Sequence, residues 1–347
     1  MNTRLLLSAI LLFGLTLTKA VKASDTVPSL FLEMSEFFTH HAIVAEKSTH
    51  KLYVYKNNNG SPELVKEYQM ATGKSAGNKV FTGDHRTPEG IYHFNEFIPN
   101  AQLLKRYGDK GKIYGVGAFT INYPNPVDHH AEKSGGGIWL HSTNDETRIE
   151  KGLDSRGCLV VANKDLIEIS RYLELGKTPI IIVQNVSYYS QETFETLKEQ
   201  VKETVSSWLT AWQTENKKEY FSKYHPQKFH DKYRGNYKQF KTYKTAVFSG
   251  PGAPEISIKH LSILSIDNYI VARFAQHYKS SKINDVGVKT LYLQQDEFYN
   301  WKIVEERWSK LTQPQEAEQY ASFRPRKKFF ESTEQALLDI EQQKERN

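Results

Sequence analysis

The sequence predicts a mainly β domain followed by an α+β domain, and three observations carry that prediction. Short apolar runs broken by Gly, Pro, Asn and Asp recur from Ala42 to about Val186, the pattern of a compact sheet-rich unit. At Ser190 the apolar spacing switches from alternation to every third or fourth residue and holds for a long stretch. Alternating runs then return and continue to Trp308, so the second unit joins helix to antiparallel sheet. A chain of 347 residues with 20 Tyr and 18 Phe has length and aromatic volume for two cores.

Residues 1–23 read as a secretory signal peptide: Arg4, an apolar run from Leu5 to Leu17, then small residues with Val21 and Ala23 suited to cleavage. That run is shorter than the ~20 residues of a bilayer span, although an uncleaved anchor is the alternative reading. Residues 24–41 contain "PSLFLEMSEFF", whose Leu30, Leu32, Met34, Phe37 and Phe38 suggest a short amphipathic helix that docks on its own chain or pairs with a second copy as a homodimer. In the β unit, residues 42–186, two alternating runs flank "NNNGSP" as a hairpin. Strands follow at "GIYHFNEF", "GAFTINYP", "GIWLHST", "GCLVVAN" and "TPIIIVQNV", with one helical interruption, "KDLIEISRYLELG". The second unit, residues 190–308, opens with a long helix through Phe194, Leu197, Val201, Val205, Trp208 and Trp212, capped near Ser190. Its strands include a hairpin turning at Asp267-Asn268, and a sheet of this kind often encloses a pocket. Residues 309–347 form a polar tail with a last candidate helix at "STEQALLDIEQQKE".

The net charge of +6 is well mixed in sign, and export argues against a nucleic-acid partner. A mildly basic surface suits an anionic polymer such as a cell wall, and a solvated charged face explains it equally well. The single cysteine, Cys158, cannot form an internal disulfide, so it is either a buried passenger or a thiol kept for reactivity.

Its neighbourhood favours reactivity. A thiol of ordinary pKa near 8.5 needs a base to attack a carbonyl at neutral pH, and His141 closes the strand "GIWLH" while Cys158 opens "CLVV". If those strands are neighbours, the side chains meet at the sheet rim. Gly157 permits a tight turn whose amides face a bound carbonyl, and Arg156 offers a fork of donors to a substrate carboxylate or simply a salt-bridge partner. No Asp or Glu is fixed by spacing to orient the imidazole, which leaves a backbone carbonyl such as that of Ser142. Tyr123 and Trp139 either line the groove or fill the core.

"IWLHST", a gap, and "SRGCLVVAN" resemble the signature of the L,D-transpeptidase (YkuD-type) catalytic-domain family. "VAEKSTHKLYVYK", "TGDHRTPEGIYHF" and "GAFTINYPNP" follow that family's landmarks in order, over about Ile43 to Val186. Arginine before Gly-Cys, with a helix-plus-sheet module behind, is similar to a subgroup of exported cell-shape enzymes that join a YkuD-type β-sandwich to an NTF2-like domain. The resemblance implies Cys158 as nucleophile, His141 as base, and Arg156 and Gly157 at the substrate rim. It departs at Ser142, where glycine is usual. It also implies a periplasmic location, peptidoglycan stem peptides as substrate and no cofactor. The subgroup's L,D-carboxypeptidases cleave the meso-diaminopimelate–D-Ala bond of tetrapeptide stems. Transpeptidation through the same thioester, and an inactive wall-binding protein, are the alternatives. A glycan or peptide is the expected ligand of the NTF2-like domain.

No metal is expected. His129 and His130 are adjacent, point different ways and lack a third ligand at recognisable spacing, which places them in a surface loop. "TGKSAGNK" lacks the spacing of a phosphate-binding loop.

Overall fold

The computed structural model describes residues 26–250, 252–311 and 328–345. The predicted signal peptide, residues 1–23, lies outside them.

The N-terminal segment differs from the expected helix. It forms two short strands, β1 (Thr26–Pro28) and β2 (Phe31–Glu33), and both are used to pair with distant chain. Apolar residues at 30, 32 and 34 fit a period of two as well as a helical stripe, and an open sheet edge in the second domain decides for the strand. The segment docks on its own chain.

The first domain is built on one folded sheet. Its strands are β3 (His41–Glu46), β4 (Lys51–Asn58), β5 (Ser61–Gln69), β6 (Thr72–Gly73), β7 (Gly90–Pro99), β8 (Gly117–Ile121), β9 (Trp139–His141), β10 (Leu153–Ser155), β11 (Leu159–Val160) and β12 (Pro179–Val183). Eight of them run in the order β11-β9-β8-β7-β12-β3-β4-β5. The β4–β5 hairpin turns at Asn59 and Gly60, whose φ of 51° and 92° are what a two-residue turn demands. Strand β7 carries a bulge between Phe94 and Glu96, where the sheet bends. Ala71 pairs with Val160 and β6 with β10, so the far edges of the sheet meet. The two halves enclose one core in which Ile43, Leu52, Val54 and Met70 share a cluster with Phe119, Ile121, Leu140 and Leu159. This is the expected β-sandwich. The predicted helix is α4 (Asn163–Ser170); α1 (Asn100–Tyr107), a 3-10 turn (Gly108–Tyr114), α2 (Pro126–His130) and α3 (Thr147–Glu150) are additional.

Strand β13 (Tyr188–Ser190) pairs with β1 and leads into α5 (Gln191–Gln213), whose first turn is capped by the Ser190 hydroxyl accepting from Thr193 N–H at 3.2 Å. After α6 (Lys217–Ser222), the hairpin of β14 (His230–Asp231) and β15 (Gly235–Asn236), and α7 (Tyr237–Val247) come four long strands. These are β16 (Glu255–Ile266), β17 (Tyr269–Lys279), β18 (Asn284–Gln295) and β19 (Trp301–Lys310). With β2 they form a five-stranded sheet, order β19-β18-β17-β16-β2. Phe194, Val201, Val205, Trp208 and Trp212 of α5 bury against its Ile263, Ile270, Phe274 and Leu291.

The domains share a buried cluster: Ala42, Val44, Ile91 and Ile181 from the first, Phe31, Leu264, Tyr269, Val271 and Val304 around the second sheet. Inside it the Tyr269 hydroxyl accepts from Ile91 N–H at 2.6 Å and from Asn125 Nδ2 at 2.8 Å. The C-terminal part of the expected polar tail is α8 (Thr333–Glu345), which returns to the first domain. Phe329 and Phe330 lie 5.3 and 5.0 Å from Phe97, and Ile340 is buried in the first core. His129 and His130 end α2 rather than occupying a loop, and His130 reaches the second domain, its Nε2 2.9 Å from Glu305 Oε2.

Candidate active site

The site is assembled at the edge formed by β9 and β11. These strands run parallel, with Leu140 opposite Leu159 and His141 opposite Val160. One residue earlier, Cys158 falls beside Trp139. Paired residues share a face, as do residues two apart on one strand, so Cys158, Trp139 and His141 all project to the same side. The thiol leans on the Gly137 carbonyl, Sγ to O 3.5 Å.

His141 is 3% exposed, with Nδ1 2.5 Å from the Ser142 carbonyl. A carbonyl only accepts, so Nδ1 carries the proton and Nε2 is left as the base. Ser142 is fully buried, and its own hydroxyl donates to the Tyr114 carbonyl at 3.2 Å and accepts from Val116 N–H at 2.8 Å. Asn163 accepts from the same N–H at 3.1 Å and donates to the Thr143 carbonyl at 2.8 Å. Ser142 therefore ties β9 to the 3-10 turn and holds in place the carbonyl that steers the imidazole.

Comparison with known proteins gives this geometry its setting. Residues 40–182 match the L,D-transpeptidase catalytic domain, and residues 200–307 the Cds6 C-terminal NTF2-like domain. The solved structure of Bdellovibrio bacteriovorus Bd1075 is 31% identical and superposes with a TM-score of 0.71, over 83% of this chain and 100% of that one. The chain belongs to the L,D-transpeptidase catalytic-domain family. The helical cell shape determining protein Pgp2 from Campylobacter jejuni shares the fold, with 24% identity, a TM-score of 0.64, and coverage of 81% of this chain and 95% of that one. A search of curated sequences found no match.

In this L,D-transpeptidase-family chain, burial pushes the Cys158 thiol up to about 11, against smaller downward pulls from the Trp139 amide and the charges of Arg148 and Lys79. Burial pushes His141 down to about 4; the Ser142 carbonyl opposes this and Arg148 adds to it. Both directions favour the neutral forms, thiol and imidazole, with Cys158 itself only half-buried from solvent.

The remaining expected residues divide. Gly157 is required by its backbone, φ +123°, and a Cβ there would meet the Arg86 carbonyl at 2.8 Å and Ile138 Cδ1 at 3.0 Å. Its amide, expected to face substrate, instead donates to Ser155 Oγ at 3.0 Å, because that hydroxyl sits inside the turn and also donates to the Cys158 carbonyl at 2.6 Å. Arg156 is exposed. Trp139 is half-buried and lies against Tyr114 in a tilted pair, 5.0 Å between centroids, on the sulfur's side of the sheet. Tyr123 is core: 6% exposed, edge-on to Tyr92, its hydroxyl donating to the Ser134 carbonyl at 3.2 Å.

Three further residues contribute: Tyr114 and Arg148 carried no sequence signal of their own, and Thr87 lay in a landmark stretch without being singled out. Tyr114 meets the His141 ring edge-on at 4.9 Å. Arg148 is held by Asp154 (Nε to Oδ2 2.5 Å) and Thr143 (3.1 Å) with its charge near both reactive groups. Thr87, in the "TPEG" turn, donates to the Gly157 carbonyl at 3.0 Å and accepts from Gly73 N–H at 2.9 Å. The loop carrying Thr87 is itself clamped by buried Lys47, whose Nζ donates to the carbonyls of Gly77 and Thr87 and to Glu89.

Proposed function

We propose that this protein is an exported, periplasmic peptidoglycan L,D-carboxypeptidase, removing D-alanine from tetrapeptide stems. The observation that carries the reading is the shared face of Cys158 and His141, with the imidazole fixed by the Ser142 carbonyl so that Nε2 is the base. As Nε2 takes the thiol proton, sulfur attacks the carbonyl of meso-diaminopimelate. The C–N bond breaks, His141 returns the proton to the departing D-alanine amine, and a thioester remains on Cys158. Water then adds at the same carbon, with His141 again as base, and releases tripeptide and thiol. Because the Gly157 amide is engaged, the oxyanion donor in this scheme is the Cys158 N–H. Exposed Arg156 serves the stem's terminal carboxylate, and Trp139 walls the groove.

The second domain supports a polymer substrate. It presents a cavity of about 900 Å³ lined by Trp212, Tyr278, Trp308, Lys244 and Lys289, a mixture of aromatic faces and cations suited to a glycan or peptide segment of the wall. Likeness to Pgp2, a helical cell shape determining protein, extends the reading to cell shape.

Incubating the protein with disaccharide tetrapeptide and weighing the products tests this. Loss of D-alanine is expected, and Cys158→Ala should abolish it while leaving the circular dichroism spectrum unchanged. A joined dimer as sole product would assign transpeptidation instead, and no product from the wild type would leave a wall-binding role.

A further inference from the structure

We propose that His130, His230 and Glu305 form a binding site for one divalent transition-metal ion, with Zn²⁺ the best match, at the seam between the two domains. One nitrogen of each histidine and one oxygen of Glu305 lie within 4.8 Å of one another. His130 ends α2 of the first domain, His230 begins the short β14 hairpin, and Glu305 sits on β19, so an ion held by all three bolts the domains together.

The donor set fits the chemistry. Two imidazoles and one carboxylate are a borderline-soft trio, and three protein ligands leave a fourth position open. All three side chains line the 900 Å³ cavity, so that position faces it and can take water or a ligand carboxylate. Tetrahedral Zn²⁺ with bonds of about 2.0–2.1 Å holds its donors about 3.3 Å apart. The His130–Glu305 pair, at 2.9 Å, needs only slight opening. His230 supplies the rest of the closure, being an exposed side chain on a two-residue strand.

The His130 ring meets Glu305 through Nε2, while its Nδ1 is buried with no hydrogen-bond partner among the described residues. Glu305 is 1% exposed, and its other oxygen, Oε1, lies 2.9 Å from an Arg307 nitrogen as an ion pair without hydrogen-bond geometry. The supporting parts are rigid: α2 opens with a capping box at Asn125, and Asp128 accepts from the Tyr92 hydroxyl at 2.9 Å and pairs with Lys133 at 2.8 Å.

The test uses the full-length Cys158→Ser protein, which lacks the competing thiol, stripped with chelator and titrated with Zn²⁺ by calorimetry and with Co²⁺ by visible absorption. One saturable site per chain and d–d bands of low-coordinate Co²⁺ are expected. His130→Ala and His230→Ala should each weaken binding by about 100-fold or more, while His129→Ala, the adjacent residue outside the cluster, leaves it unchanged. Zn²⁺ should also raise the melting temperature of the parent and not of His230→Ala, a substitution at an exposed position that the fold tolerates. No saturable uptake, or uptake indifferent to His230→Ala, would overturn the site. Catalysis by Cys158 is read separately, by D-alanine release.

Discussion

Alkylation of the single cysteine by iodoacetamide across pH tests the protonation state on which the mechanism depends. Only thiolate reacts, and a thiol near 11 is about one part in 10⁴ ionised at pH 7, where an ordinary cysteine near 8.5 is a few per cent ionised. That is a deficit of about 300-fold. The more basic thiolate is intrinsically the better nucleophile, recovering about tenfold, so adduct should form roughly 30-fold more slowly than on a model cysteine peptide. From pH 7 to 10 the rate should climb about tenfold per unit, with no plateau. Intact-protein mass reads the adduct without ambiguity because Cys158 is the only thiol. A flat region between about pH 5 and 8, with an inflection below 7, is the behaviour of a resting thiolate–imidazolium pair and would refute a neutral resting pair.

The same burial makes His141 a stability element: its folded pKa of about 4 lies below the unfolded 6.5, so the unfolded chain binds more protons in that window. Its contribution is complete above 6.5 and is lost as pH falls toward 4, about 2 kcal/mol by pH 5, and urea melts of wild type against His141→Gln should show a difference that shrinks over that range. Gly157→Ala should cost about 1–3 kcal/mol and most of the D-alanine release, since both its positive φ and the Arg86 carbonyl oppose a side chain; a variant with wild-type stability and rate would contradict the turn's role. Tyr269→Phe strips an acceptor from a buried N–H at the domain seam, so unfolding free energy should drop by about 1–3 kcal/mol, and a change under 0.5 would show that water fills in.

Part of the site's frame was legible because it is carried by residue type at strand ends: β9, which ends at His141, and β11, which follows Cys158, are neighbours, and the Ser142 carbonyl meets His141 Nδ1. The Gly157 amide was misjudged because its partner, Ser155 Oγ, is a local side chain whose rotamer no pattern encodes. Arg148 and Tyr114 enter from elements that are short or irregular, so periodicity had nothing to report. The long helix α5 was plain from six apolar positions on one stripe, whereas Leu30, Leu32 and Met34 fit two periods and were decided by a sheet edge more than 200 residues away. His130 was set aside for want of a third ligand in sequence, and its neighbours His230 and Glu305 come from the other domain.

Each end of this chain is lent to the other half of the molecule: β2 completes the rear sheet, while Phe329, Phe330 and Ile340 seal the front core. A fragment trimmed to residues 40–182 or 200–307 would lose its borrowed piece and bare a greasy seam, so the two halves behave as a clasped pair whose parting invites clumping. During synthesis β2 must wait for β16, more than 200 residues later, before the edge it pairs with exists.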